Sequence, residues 1–186
     1  MIGWGTFHAI LERELKAFSE DVHLQKRANL ADLCKIMVPK KIIAVGLNQN
    51  MHPLIAAFSL RYFENGVVHL FLAEHEASSN YPPYQFLLKM MNIYRLHRYI
   101  KIYPKEQLEN FLGTDEKVDI FLQCAQISDR EDFSHLWIHS VRKGGAIWID
   151  EGENTRSVEL KKFEGIKPIP SLMGEKVPGL EVYRVI

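Results

Sequence analysis

The chain has 186 residues, 47 % apolar and 25 % charged, and its 23 Lys plus Arg cancel its 23 Asp plus Glu. That balance leaves no electrostatic footprint for nucleic acid or a membrane surface, and the composition is that of an ordinary globular chain with a sizeable core. No apolar run approaches the roughly 20 residues of a membrane span, and the N-terminus lacks the basic start and apolar block of a secretion signal, so a cytoplasmic protein is expected.

Phe7, Ile10, Leu11, Leu15 and Phe18 recur at helical spacing, with Glu12, Arg13, Glu14 and Lys16 on the other face. A short helix follows over 28–37 and stops before Pro39. Lys41 to Gly46 is an uninterrupted apolar run of strand length, the first core strand. His52-Pro53 opens a helix carrying Leu54, Ile55, Phe58 and Tyr62, which Asn65-Gly66 closes. Val67 to Ala73 is the second strand, a helix spans Tyr84 to His97, and Tyr99 to Tyr103 is the third strand. A short helix over 105–112 leads to the fourth strand, Val118 to Cys124. Ser128 with Glu131 makes a capping box for a helix that runs through Val141 and stops at Gly144-Gly145, and Ala146 to Ile149 is the fifth strand.

Strands separated by helices imply crossover connections, hence a doubly wound, mostly parallel Rossmann-like α/β sheet. The pieces around Lys167-Pro168-Ile169-Pro170 and Gly179 to Ile186 read as two antiparallel edge strands, because proline cannot donate to a central ladder. A ligand of such a sheet sits at the carboxyl ends of the strands, in the loops that begin at Gly46, Glu74, Cys124 and Asp150.

Ile42-Ile43-Ala44-Val45-Gly46, an acidic residue ending strand two, Val118-Asp119-Ile120-Phe121, and Lys143-Gly144-Gly145-Ala146-Ile147-Trp148-Ile149-Asp150 together carry a resemblance. Over residues 40–186 the sequence resembles the class I S-adenosylmethionine-dependent methyltransferases, in their small O-methyltransferase-like branch; residues 1–39 form an N-terminal helical extension. The resemblance implies transfer of a methyl group from S-adenosylmethionine to an oxygen or nitrogen of a small molecule. It places the cofactor at Gly46, Asn48, Glu74, His75 and Cys124, with Glu74 accepting hydrogen bonds from the ribose and His75 or Glu76 as substitutes should the strand end elsewhere. Substrate contacts are expected from His52, Asp150 and Glu151. N-terminal helices in such enzymes cover the substrate side or form a homodimer contact; packing on its own domain is the other reading here.

This sequence departs from the family at three places. The glycine-rich first turn, whose missing Cβ atoms let backbone amides approach the cofactor, keeps only Gly46, with Asn48 and Asn50 as residues that tolerate left-handed backbone. Ala44 stands where the family's acid meets the cofactor's amino group. Cys124 and Gln126 stand where the metal-dependent branch has two aspartates; a thiol and an amide suit hard cations poorly, so no bound metal is expected. These departures support a second expectation, the same fold without methyl transfer, acting as a small-ligand or protein-interaction module.

Among other constellations, His135 and His139 have zinc-ligand spacing, but Leu136 stands where a zinc hydrolase has its glutamate, so they read as surface or interface residues. Tyr81-Pro82-Pro83-Tyr84 reads as an aromatic wall over an adenine or as an ordinary proline-rich helix entry. Cys34 and Cys124 read as small core residues.

Overall fold

The computed structural model describes residues 3–18, 24–124, 138–150, 164–169 and 179–186. Its helices are α1 (Trp4–Phe18), α2 (Leu24–Met37), α3 (His52–Tyr62), α4 (Pro82–Ile93) and α5 (Leu108–Leu112). Its strands are β1 (Lys41–Val45), β2 (Val67–Leu72), β3 (Ile100–Pro104), β4 (Val118–Gln123), β5 (Val141–Asp150), β6 (Ile166–Pro168) and β7 (Leu180–Val185). They form one seven-stranded sheet in the order β3-β2-β1-β4-β5-β7-β6. The first five strands pair in parallel, and β7 is antiparallel to both β5 and β6. The doubly wound sheet expected from the alternation of strands and helices is therefore present, with its reversal of strand order between β1 and β4.

Period-two alternation gives the sheet two buried faces. Ile42, Ala44, Leu70, Leu122 and Trp148 face α1 to α4, and Ile43, Val45, Phe71, Phe121, Ile147 and Tyr183 form the core on the α5 side. Leu11, Leu15, Leu30 and Leu33 belong to the first of these cores, which α1 and α2 join by packing against α3. Fully burying each such leucine stabilises by about 1.5–3 kcal/mol. At the opposite end from the carboxyl edge, one Asp119 oxygen accepts the backbone N–H groups of Lys40 and Lys41 at 2.7 and 2.9 Å, fixing β1 beside β4.

Several boundaries differ from the sequence reading. Helix α4 begins at Pro82, where the missing N–H of a first-turn proline costs no bond, and ends at Ile93. Arg95 then takes a left-handed φ of 52° and a short 3-10 turn, Leu96–Arg98, precedes β3. Strand β5 starts at Val141 rather than Ala146: Gly144-Gly145 forms an irregularity within the strand, not a helix stop. A Cβ on Gly145 would lie 2.7 Å from the Asp119 carbonyl, so glycine here permits close strand approach. Strand β7 is interior, because β6 covers its outer side; only the proline-bearing β6 lies at this edge. Of the helix expected from Ser128, residues 128–137 lie outside the described residues, 138–140 are helical, and Val141 already belongs to β5. No described helix is long and apolar enough to cross a membrane.

Candidate functional site

The reversal of strand order opens a crevice at the carboxyl ends of β1 and β4. A cavity of about 380 Å³ lies there, lined by residues following five strands: Gly46, Leu47 and Asn48 after β1; Ala73, His75, Glu76 and Tyr81 after β2; Lys105 after β3; Cys124 after β4; and Asp150 at the end of β5. Its size lies within the usual range of small-molecule sites, about 300–1,000 Å³.

The turn after β1 shows how a segment with one glycine holds its shape. Gly46 takes φ 80°, the left-handed region that a residue without Cβ enters freely. Its N–H bonds the Phe71 carbonyl at 2.9 Å. Leu47 is gripped on both sides: its N–H donates to Glu76 Oε1 at 3.0 Å and its carbonyl accepts from the Tyr81 hydroxyl at 2.6 Å. Asn48 Oδ1 accepts from the Asn50 N–H, while the Arg27 guanidinium reaches the carbonyls of Gln49 and Asn50 at 2.8 and 3.0 Å. Met51 closes the turn at φ 55°, a strained conformation for a residue with a side chain. Side chains from α2, β5 and the segment after β2 thus fix a loop that glycines would otherwise let relax.

Asp150 is the hub on the β5 side. Alternation places it on the same face as Trp148, toward α2 and α3, which is why Lys26 can reach it. Lys26 Nζ donates to Asp150 Oδ1 at 2.6 Å, and both side chains are 1 % exposed. Asn50 and Asn48 donate to Oδ2 at 2.6 and 3.3 Å, and His52 Nδ1 lies 3.4 Å from the same oxygen. Burial works to raise the Asp150 pKa, but His52, Lys26 and Asn50 outweigh it and hold the carboxyl below its ordinary range. On the cavity floor, burial pushes the Cys124 thiol well above its usual value, with help from the Asp150 and Glu76 charges, so it stays protonated.

Of the residues the sequence singled out, Gly46, Asn48, His75, Cys124 and Asp150 line this one cavity. Glu74 is exposed and outside the lining, whereas Glu76 is 5 % exposed and on it. The reason is a turn: the N–H groups of Glu76 and Ala77 both bond the Ala73 carbonyl, folding the chain back so that Glu76 returns to the strand end. Its Oε2 accepts the Ala73 N–H at 2.9 Å. Two of the roughly four lone-pair sites of this carboxylate are thereby used, and the others remain for a ligand. His52 is fully buried behind Asp150, its ring edge-on to Trp148 at 5.4 Å, and does not line the cavity. Glu151, Gln126 and His135 lie outside the described residues; His139 is exposed. Lys26, Arg27 and Lys105 were not singled out, since nothing in helical spacing marks a lysine that is buried against an aspartate 124 positions away. Among the described residues no group of three or more His, Cys, Asp or Glu is placed to hold a metal ion.

No family model matches the chain, and no curated protein matches it in sequence. Solved structures do match in fold. An O-methyltransferase from Bacillus cereus in complex with S-adenosylhomocysteine is 14 % identical with a TM-score of 0.64, over 100 % of this chain and 93 % of that one. The O-methyltransferase TomG from Streptomyces achromogenes, involved in tomaymycin synthesis and solved with S-adenosylmethionine, is 11 % identical with a TM-score of 0.63, over 86 % and 79 %. The S-adenosylhomocysteine-bound methyltransferase PaMTH1 from Podospora anserina is 10 % identical with a TM-score of 0.61, over 87 % and 78 %. The chain therefore has the fold of the class I S-adenosylmethionine-dependent O-methyltransferases.

Proposed function

We propose that the cavity takes S-adenosylmethionine, that Glu76 accepts hydrogen bonds from the ribose hydroxyls, and that the chain transfers the methyl group to an oxygen or nitrogen of a small molecule. The observation that carries this is the buried Glu76 carboxylate, facing a cavity at the reversal point beside the left-handed Gly46 turn. The sulfonium of the cofactor supplies an electrophilic methyl group. The protein's task is then to align donor and acceptor within the cavity.

A melting comparison tests the reading. Ligand at a hundred times its dissociation constant adds about 2.7 kcal/mol to the native state. For a chain of this size that raises the midpoint by about 5–10 °C. S-adenosylmethionine and S-adenosylhomocysteine are expected to do so, and Glu76→Gln to abolish most of the shift; an unmoved midpoint at millimolar ligand overturns the proposal.

The second reading is a binding or interaction module without methyl transfer. What favours it is the internal saturation of Asp150, whose oxygens already meet Lys26, Asn48 and Asn50, together with the apolar, fully buried Ala44. Labelled methyl transfer to a panel of phenols, catechols and amines separates the two: binding without any turnover supports the module.

A further inference from the structure

We infer that Tyr81 is a positioning residue for the amino-acid half of the cofactor, acting through the turn after β1; this rests on the reading above. Its hydroxyl donates to the Leu47 carbonyl at 2.6 Å, while Glu76 holds the N–H of the same residue. The two peptide planes flanking Leu47 are thus both fixed by the segment after β2. A peptide unit is planar and trans, so fixing a carbonyl also fixes the direction of the following N–H. That N–H belongs to Asn48, which lines the cavity and whose backbone hydrogen has no acceptor among the described residues. With one glycine in the turn, its orientation is set from outside by the phenol.

The geometry separates two functions that a single carboxylate would merge. On the proposed reading Glu76 meets the ribose, whereas the Tyr81 hydroxyl is spent on the Leu47 carbonyl, although its ring also lines the cavity. Loss of the phenol hydroxyl should therefore penalise ligands that carry the amino-acid tail and spare those that do not.

Calorimetric titration of the full chain and of Tyr81→Phe with S-adenosylhomocysteine and with adenosine tests this. The ring is retained in the variant and one neutral hydrogen bond is lost, which is expected to weaken S-adenosylhomocysteine about fivefold and adenosine less than about twofold. Amide exchange in the ligand-free variant should also quicken at Leu47 and Asn48. A purely structural role would lower the melting midpoint and leave the ratio of the two affinities unchanged, which overturns the inference alone. Failure of the wild-type chain to bind S-adenosylhomocysteine overturns the cofactor reading and this inference with it.

Discussion

The Lys26–Asp150 pair lends itself to a quantitative test. Its members lie 2.6 Å apart, each side chain 1 % exposed. At an effective dielectric constant of about 20, two unit charges at that separation attract by about 6 kcal/mol. Burial costs several kcal/mol per ion, so the intact pair contributes little net stability, whereas stranding either charge is expected to cost about 3–5 kcal/mol. Lys26→Met and Asp150→Asn should each lose that amount in urea unfolding followed by circular dichroism near neutral pH. Since a domain holds about 5–15 kcal/mol in total, both singles should remain folded but marginal. The double variant strands no charge and should be about 2 kcal/mol more stable than either single, a coupling beyond what independent sites show. Losses that simply add, within about 0.5 kcal/mol, would refute the claim that these groups form one buried unit holding the turn after β1.

Other predictions concern the strand irregularity, pH and the ribose. A Cβ on Gly145 would sit 2.5 Å from Val141 Cγ1 and 2.9 Å from the Arg142 carbonyl, so Gly145→Ala should lose at least about 2 kcal/mol in urea unfolding. Gly5→Ala, in the first turn of helix α1, meets nothing within 4 Å and should gain up to about 0.5 kcal/mol, less than in a helix interior. Burial, then the charges of Lys41 and Lys101, lower the His69 pKa from 6.5 to about 4. The unfolded chain therefore binds that proton first, and stability should fall by about 2–3 kcal/mol as pH drops from about 6.5 to about 4, a slope that His69→Phe removes. Asp150 adds acid lability below the ordinary carboxylate range, because its stabilising contribution is lost as pH falls through its depressed pKa. If Glu76 reads the ribose, 2′-deoxyadenosine should bind about tenfold more weakly than adenosine in calorimetry, as loss of one hydrogen bond to a charged group demands.

The parallel core was legible because its strands are apolar on both faces. Ile42 to Val45 and Ile120 to Leu122 read as continuous apolar runs, and the helices between them force crossovers. Gly144-Gly145 misled for a physical reason: a glycine pair that stops a helix and one that lets two strands approach have the same composition, and only the Asp119 carbonyl nearby distinguishes them. The edge position expected of β7 failed because proline marks only β6, and pairing partners are not written in a strand's own residues. At the site, the strand-end loops were found from topology alone, yet the cavity-facing carboxylate was displaced by two residues, since the turn on Ala73 that returns Glu76 to the strand end leaves no signal in spacing. The hold on the first turn was invisible for a similar reason: Lys26 and Arg27 precede the helix expected over 28–37, which in fact begins at Leu24, and their buried partners come from distant segments.

Titration of the chain with S-adenosylhomocysteine by isothermal calorimetry, alongside Glu76→Gln, decides whether the strand-end cavity takes the cofactor through Glu76. Saturable binding of one molecule per chain, lost or severely weakened in the variant, is the predicted outcome. No heat at millimolar ligand, or equal affinity in both proteins, would contradict it.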